Sequence, residues 1–136
     1  MRIFLDANIL FSAAKSDGAV RRLVGLLSAA GHELCAHGYV IEEARRNLQP
    51  KYPASLVSFN KILAVLEVSA IIPKDPPDYG AGLPEKDRPV LASAIALECA
   101  ALVTGDMTHF GHLYGTSVAG VSIHSPSSIA AHLLVE

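Results

Sequence analysis

Four acids stand where short apolar runs end or helical stretches begin: Asp6 in "IFLD", Glu43 in "VIEEARRNL", Asp87 in "LPEKDRPVL" and Asp106 in "LVTGD". Asp6 and Asp106 each close a run that reads as a buried strand. Glu43, with Glu42 beside it, lies in the first turns of one helical stretch, and Asp87 opens another. In an open α/β sheet the C-terminal ends of parallel strands share one rim, and the helices that follow begin there. That topology can bring all four acids together from distant places. Clustered carboxylates repel one another and need a counter-charge. Mg²⁺ or Mn²⁺ supplies it, because these ions take oxygen ligands, keep several waters and are commonly held by carboxylates together with substrate phosphates. Such a centre generates hydroxide at neutral pH and supports in-line displacement at phosphorus, which is phosphodiester or phosphomonoester chemistry.

Each of these residues also has a plainer use. Asp6 or Asn8 can cap a following helix. Asp87 at a helix start complements the helix dipole, Asp106 can be a turn residue after Gly105, and Glu42 or Glu43 can be a solvated helix charge. Asp17, Asp75, Asp78 and Glu85 read as caps and loop charges. Basic side chains stand beside the acids: Arg45 and Arg46 on the Glu43 helix, Lys51 after it, and Lys86 and Arg88 on either side of Asp87. They suit the phosphates of a single strand, and they suit solvated helix faces equally well. Aromatics make up 6% of the chain and Trp is absent, so base stacking is not expected to dominate. His109 and His112 have the i, i+3 spacing of metal ligands; the reading preferred here is a rim histidine that touches phosphate and a surface one. His32, His37, His124 and His132 show no ligand spacing.

The elements that must position these residues follow from hydrophobic periodicity. The 136-residue chain is expected to be one domain, residues 1–136, and 51% of its residues are apolar, enough for a sizeable core. Short apolar runs alternate with amphipathic stretches, which predicts an α/β fold with a mostly parallel sheet. Strands are expected at about 2–6, in "HELCAH", "VSAII", "ALVTGD" and "VAGVSIH". Helices are expected after Asn8, from Ser16 or Asp17 to Gly31, in "GYVIEEARRNL", in "ASLVSFNKILAVLE", in "DRPVLASAIALECA" and in "SPSSIAAHLLVE", with a short helix or turn at "THFGHLYG". The segment "PKDPPDYGAGLPEK" is the one long loop. A net charge of −2 gives no global basic field, so nucleic-acid contact would rest on a local patch. Cys35 and Cys99 sit in apolar contexts and read as reduced, buried thiols of a cytoplasmic protein. No apolar run reaches the ~20 residues that span a bilayer.

Together "FLDANIL", "YVIEEARRNL" and "LPEKDRPVLASAIALECAALVTGDMTHFG" resemble a PIN-domain nuclease, of the kind found as the toxin half of toxin–antitoxin pairs. The resemblance spans nearly the whole chain. It implies a three-layer α/β/α sandwich around a mostly parallel sheet and a Mg²⁺- or Mn²⁺-dependent endoribonuclease. It implies Asp6, Glu43, Asp87 and Asp106 as metal-binding and catalytic residues, with Glu43 rather than Glu42 as the helix acid. Asn8 and Thr104 would support Asp6, and Arg45, Arg46 and Arg88 would hold RNA. Many members carry a further acid before the phenylalanine of "THF"; here His109 has that place, as a supporting residue, and Asp106 takes most of the acid's role. The partners implied are RNA, an antitoxin and a second copy of the chain, for which the apolar helices at 20–30 and 54–66 offer a surface. Two other readings are a PIN-like scaffold or RNA-binding protein with little activity, and a phosphatase of the haloacid dehalogenase type. The latter's second acid, two positions after the first, is replaced by Asn8.

Overall fold

The computed structural model describes residues 1–69 and 76–134. Among the described residues six strands form one sheet in the order β3-β2-β1-β4-β6-β5. They are β1 (Arg2–Leu5), β2 (Glu33–His37), β3 (Glu67–Ser69), β4 (Ala101–Val103), β5 (Ser117–Val118) and β6 (Val121–His124). All neighbouring pairs are parallel except the β5–β6 hairpin. Seven α-helices among the described residues cover the sheet in the expected α/β/α arrangement: α1 (Ala7–Lys15), α2 (Ala19–Ala29), α3 (Gly38–Leu48), α4 (Leu56–Leu63), α5 (Arg88–Ala96), α6 (Met107–Phe110) and α7 (Pro126–Leu133). Helix α1 packs on α2, α3 and α4, and α2 also meets α7. No described helix is long and apolar enough to cross a membrane.

The core fills from strand residues with almost no polar atoms. Ile3, Phe4, Cys35, Ala36, Leu102, Val103 and Ile123 are all fully buried, as strands covered on both faces must be. The registers Leu5↔Val103 and Val103↔His124 end three strands at one level. The chain order reverses at β1, which has β2 on one side and β4 on the other. Ligands of open α/β sheets bind at the C-terminal strand ends beside such a reversal. Here the next residues after the paired ones are Asp6 and Thr104.

Several boundaries differ from the sequence reading. Helix α1 starts at Ala7 with Asp6 as its cap, so Asn8 lies inside the helix. Helix α2 has Gly18 at its N-cap and no side-chain cap from Ser16 or Asp17. Helix α4 stops at Leu63, and turn-type bonds from Val65 to Ile62 and from Leu66 to Leu63 bring the chain into β3. The expected strand "VSAII" begins at Glu67, and its remainder, like Asp75, lies outside the described residues. The expected last strand "VAGVSIH" is a hairpin, because Ala119 and Gly120 both take positive φ (49° and 86°) and reverse the chain.

Candidate functional site

Asp6 is the centre of the rim. It is 4% exposed and its two oxygens are both used. Oδ1 accepts the Ala7 backbone N–H at 2.7 Å, and Oδ2 accepts the Thr104 hydroxyl at 2.8 Å and the Asn8 amide at 3.2 Å. Burial pushes the Asp6 carboxyl up to about 6, against the lowering effect of the Thr104 and Ala7 hydrogen bonds, and the charges of Glu43 and Asp87 push it the same way as burial. A buried acid surrounded by other acids is a site short of positive charge.

Asn8 and the "TGD" turn lock Asp6 to β4. The Gly105 N–H donates to Asn8 Oδ1 at 2.6 Å, while Asn8 Nδ2 donates to Thr104 Oγ1 at 3.3 Å as well as to Asp6. A Cβ on Gly105 would stand 3.2 Å from Asn8 Oδ1, so the close approach of this turn favours glycine. Thr104 is fully buried; its Oγ1 accepts the Asp106 N–H at 3.1 Å, and Tyr114 donates to its carbonyl at 2.7 Å. The two strand ends are thus one hydrogen-bonded unit.

Asp106 caps α6: its Oδ1 accepts the His109 backbone N–H at 3.1 Å. Its Oδ2 lies 2.8 Å from His109 Nδ1, and Asp87 Oδ2 lies 2.9 Å from the same nitrogen. Burial raises the Asp87 carboxyl, His109 lowers it and Asp106 raises it. Asp87 ends a 3₁₀ turn, Glu85–Asp87, that leads into α5, whose first turn holds Pro89, a residue suited to the start of a helix. The preceding loop is held in place by Asp78, which accepts the N–H groups of Gly82 at 2.9 Å and Leu83 at 3.0 Å. His112, at 2.6 Å from the Ala81 carbonyl, ties that loop to the turn after α6.

Asp6, Glu43, Asp87 and Asp106 all line one cleft of about 680 Å³. Glu43 faces it, whereas Glu42 is turned to solvent and pairs with Arg45 at 3.0 Å. Arg46, Asn47, Lys51 and Lys86 line the cleft, as do Phe11 and Tyr52, whose rings meet edge to face at 6.0 Å. Arg45 and Arg88 do not line it: Arg45 lies over the Phe59 ring, and Arg88 Nε is 3.8 Å from Asp78. Asn47 is one helical turn beyond Glu43, a spacing readable in the sequence; Phe11, Tyr52 and Tyr114 carry no such signal. His37, which shows no ligand spacing in the sequence, is buried at the end of β2, and its ring accepts the Tyr39 N–H at 2.9 Å as the cap of α3.

A divalent cation fits these residues. Asp87 Oδ2 is buried and accepts no hydrogen bond from the described residues. Single ligand atoms of Asp87, Asp106 and His109 lie within 4.8 Å of one another. Two carboxylates and an imidazole, with the buried Asp87 Oδ2 left without a hydrogen bond, are a donor set into which a cation fits.

No family model matches the chain, and no curated protein matches it by sequence. Solved structures do. VapBC2 from Rickettsia felis, determined bound to a DNA fragment from their promoter, contains a chain that superposes with a TM-score of 0.67 at 18% identity, covering 92% of this chain and 98% of that one. VapBC-1 from nontypeable Haemophilus influenzae gives 0.63 at 13% identity, covering 93% and 99%. The chain therefore has the PIN-like α/β/α fold over nearly its whole length.

Proposed function

We propose that this protein is a divalent-metal-dependent endoribonuclease and the toxin of a type II toxin–antitoxin pair. The observation that carries the reading is the convergence of Asp6, Glu43, Asp87 and Asp106 on one cleft beside Arg46, Lys51 and Lys86. Asp6, Glu43, Asp87 and Asp106 hold Mg²⁺ or Mn²⁺ there. Such an ion supplies a water of lowered pKa and offsets charge at the phosphodiester. The chain's own part is positional. Thr104 and Asn8 fix the Asp6 carboxylate, so that its orientation is set before substrate arrives. Arg46, Lys51 and Lys86 hold phosphates along the cleft. In this reading Arg45 and Arg88 act at a distance from the scissile bond.

The partner is a small antitoxin, a proposal supported by the fold shared with chains of the two VapBC structures. A second copy of the chain is the other candidate for the apolar groove between α2 and α4, lined by Val24, Ile62 and Val65. Two buried free thiols, Cys35 and Cys99, suit a cytoplasmic setting.

The test is cleavage of RNA by pure protein in Mn²⁺, wild type against Asp6→Asn. The expected loss is at least ~100-fold, the range seen when a group acting on the transition state is removed. Equal cleavage by both proteins overturns the reading. A wild-type protein that binds RNA without cutting it supports the scaffold alternative.

A further inference from the structure

His109 occupies an unusual place in this rim. Its Nδ1 is 2.8 Å from Asp106 Oδ2 and 2.9 Å from Asp87 Oδ2. One ring nitrogen carries at most one hydrogen and donates at most one good bond. In the tautomer with its hydrogen on Nδ1 the ring satisfies one of these two oxygens at most, and Asp87 Oδ2 receives no hydrogen bond from the described residues although it is buried. The arrangement gathers two anionic oxygens and one aromatic nitrogen about a common point. Ligand atoms in neighbouring positions of an octahedron with bonds of about 2.1 Å stand about 3 Å apart, close to both separations seen here. The His109 backbone N–H, bonded to Asp106 Oδ1 at 3.1 Å, keeps the residue over the two acids. A neutral ring with its hydrogen on Nε2 turns a lone pair at Nδ1 toward them.

We propose that His109 Nδ1 is a direct ligand of the cation, completing an Asp87–Asp106–His109 set, and that this nitrogen biases the site toward Mn²⁺ over Mg²⁺. The inference rests on the metal-site reading above and adds to it the identity of a ligand and the direction of the preference. Imidazole suits the divalent transition ions, whereas Mg²⁺ holds to carboxylate, carbonyl and water oxygens. A rim of acids alone carries no such bias from nitrogen. His109 becomes selective because Asp106 caps α6 and α6 sets the ring against Asp87, the residue that leads into α5.

Electron spin-echo modulation of the Mn²⁺ complex of the full chain reads the bond directly. Wild type is expected to show ¹⁴N modulation from a coordinated imidazole, to switch to ¹⁵N frequencies when the protein is made with ¹⁵N-histidine, and to lose the nitrogen signal in both His109→Asp and His109→Gln. Calorimetric titration with MnCl₂ and MgCl₂ is expected to show the Mn²⁺:Mg²⁺ affinity ratio falling by about 10-fold in His109→Asp, the scale of effect typical of altered metal surroundings. A wild-type Mn²⁺ complex without nitrogen modulation, modulation that survives both substitutions, or an unchanged ratio overturns the ligand assignment and leaves the four-acid site standing. A wild-type protein that binds no Mn²⁺ overturns the metal-site reading itself. Should His109→Asp fail to fold, His109→Gln and the labelled wild type decide.

Discussion

Asp6 concentrates the electrostatic cost of the rim. Its carboxyl is raised to about 6 in the folded, metal-free chain, against about 3.9 for an unfolded Asp. Because the folded state prefers the protonated form, this group favours folding fully below about pH 4. That contribution is lost as pH rises through about 6, and two pKa units correspond to about 3 kcal/mol. Asp6→Asn removes the charge and keeps an acceptor for the Ala7 N–H, although its amide then faces the Asn8 amide. In chelator at pH 7 the variant is expected to be more stable by about 1–2 kcal/mol, a rise of several degrees in thermal midpoint. At pH 4 the advantage should vanish. Thermal melts at the two pH values check this, and an equal or lower midpoint at pH 7 would show that Asp6 is not held charged against its surroundings. The same substitution that strengthens the empty fold should abolish cleavage, as expected where a site is built for function against stability.

At the scale of elements, α3 sorts its charges by helical register. Glu43, Arg46, Asn47 and Pro50 recur at helical spacing and line the cleft, whereas Glu42 and Arg45 pair with each other outside it. Arg46→Ala is therefore expected to weaken RNA binding by about 5- to 10-fold, in line with loss of one phosphate contact, and to shallow its salt dependence. Arg45→Ala and Arg88→Ala should stay within about 2-fold in a binding titration; equal losses from all three would contradict the placement. The sequence carried this only in part. "VIEEARRNL" announced an amphipathic helix but could not say which arginine turns inward, because that depends on how α3 seats against α1. Asp6, Asp87 and Asp106 were legible because each marks the end of an apolar run or the start of a helix; Glu43 lies in the middle of α3, not in its first turn as expected, and was legible through the motif around it. The contact of His109 with Asp87 was not, because 22 positions separate them and only the packing of α5 against the rim closes the gap. The β5–β6 hairpin was hidden for a simpler reason: its turn is Ala-Gly, which lacks the Asn-Gly or Asp-Gly signature of such reversals.

For the whole molecule, the reversal of strand order at β1 explains why the acids gather at one end of the sheet. β1 and β4 are neighbours in the sheet and distant in sequence, and their paired ends deliver Asp6 and Thr104 to the same point. The likeness to the chains of the two VapBC structures at 18% and 13% identity is a likeness of this frame; what the frame does here depends on the side chains it carries. The central claim is that these side chains direct a water at RNA phosphorus. Cleavage of a labelled RNA in ¹⁸O-water with Mn²⁺ tests it most directly. The account predicts ¹⁸O in the terminal phosphate of the product for wild type, none for Asp6→Asn, and no cleavage in chelator. Products ending in 2′,3′-cyclic phosphate, or cleavage that persists in chelator, would contradict it.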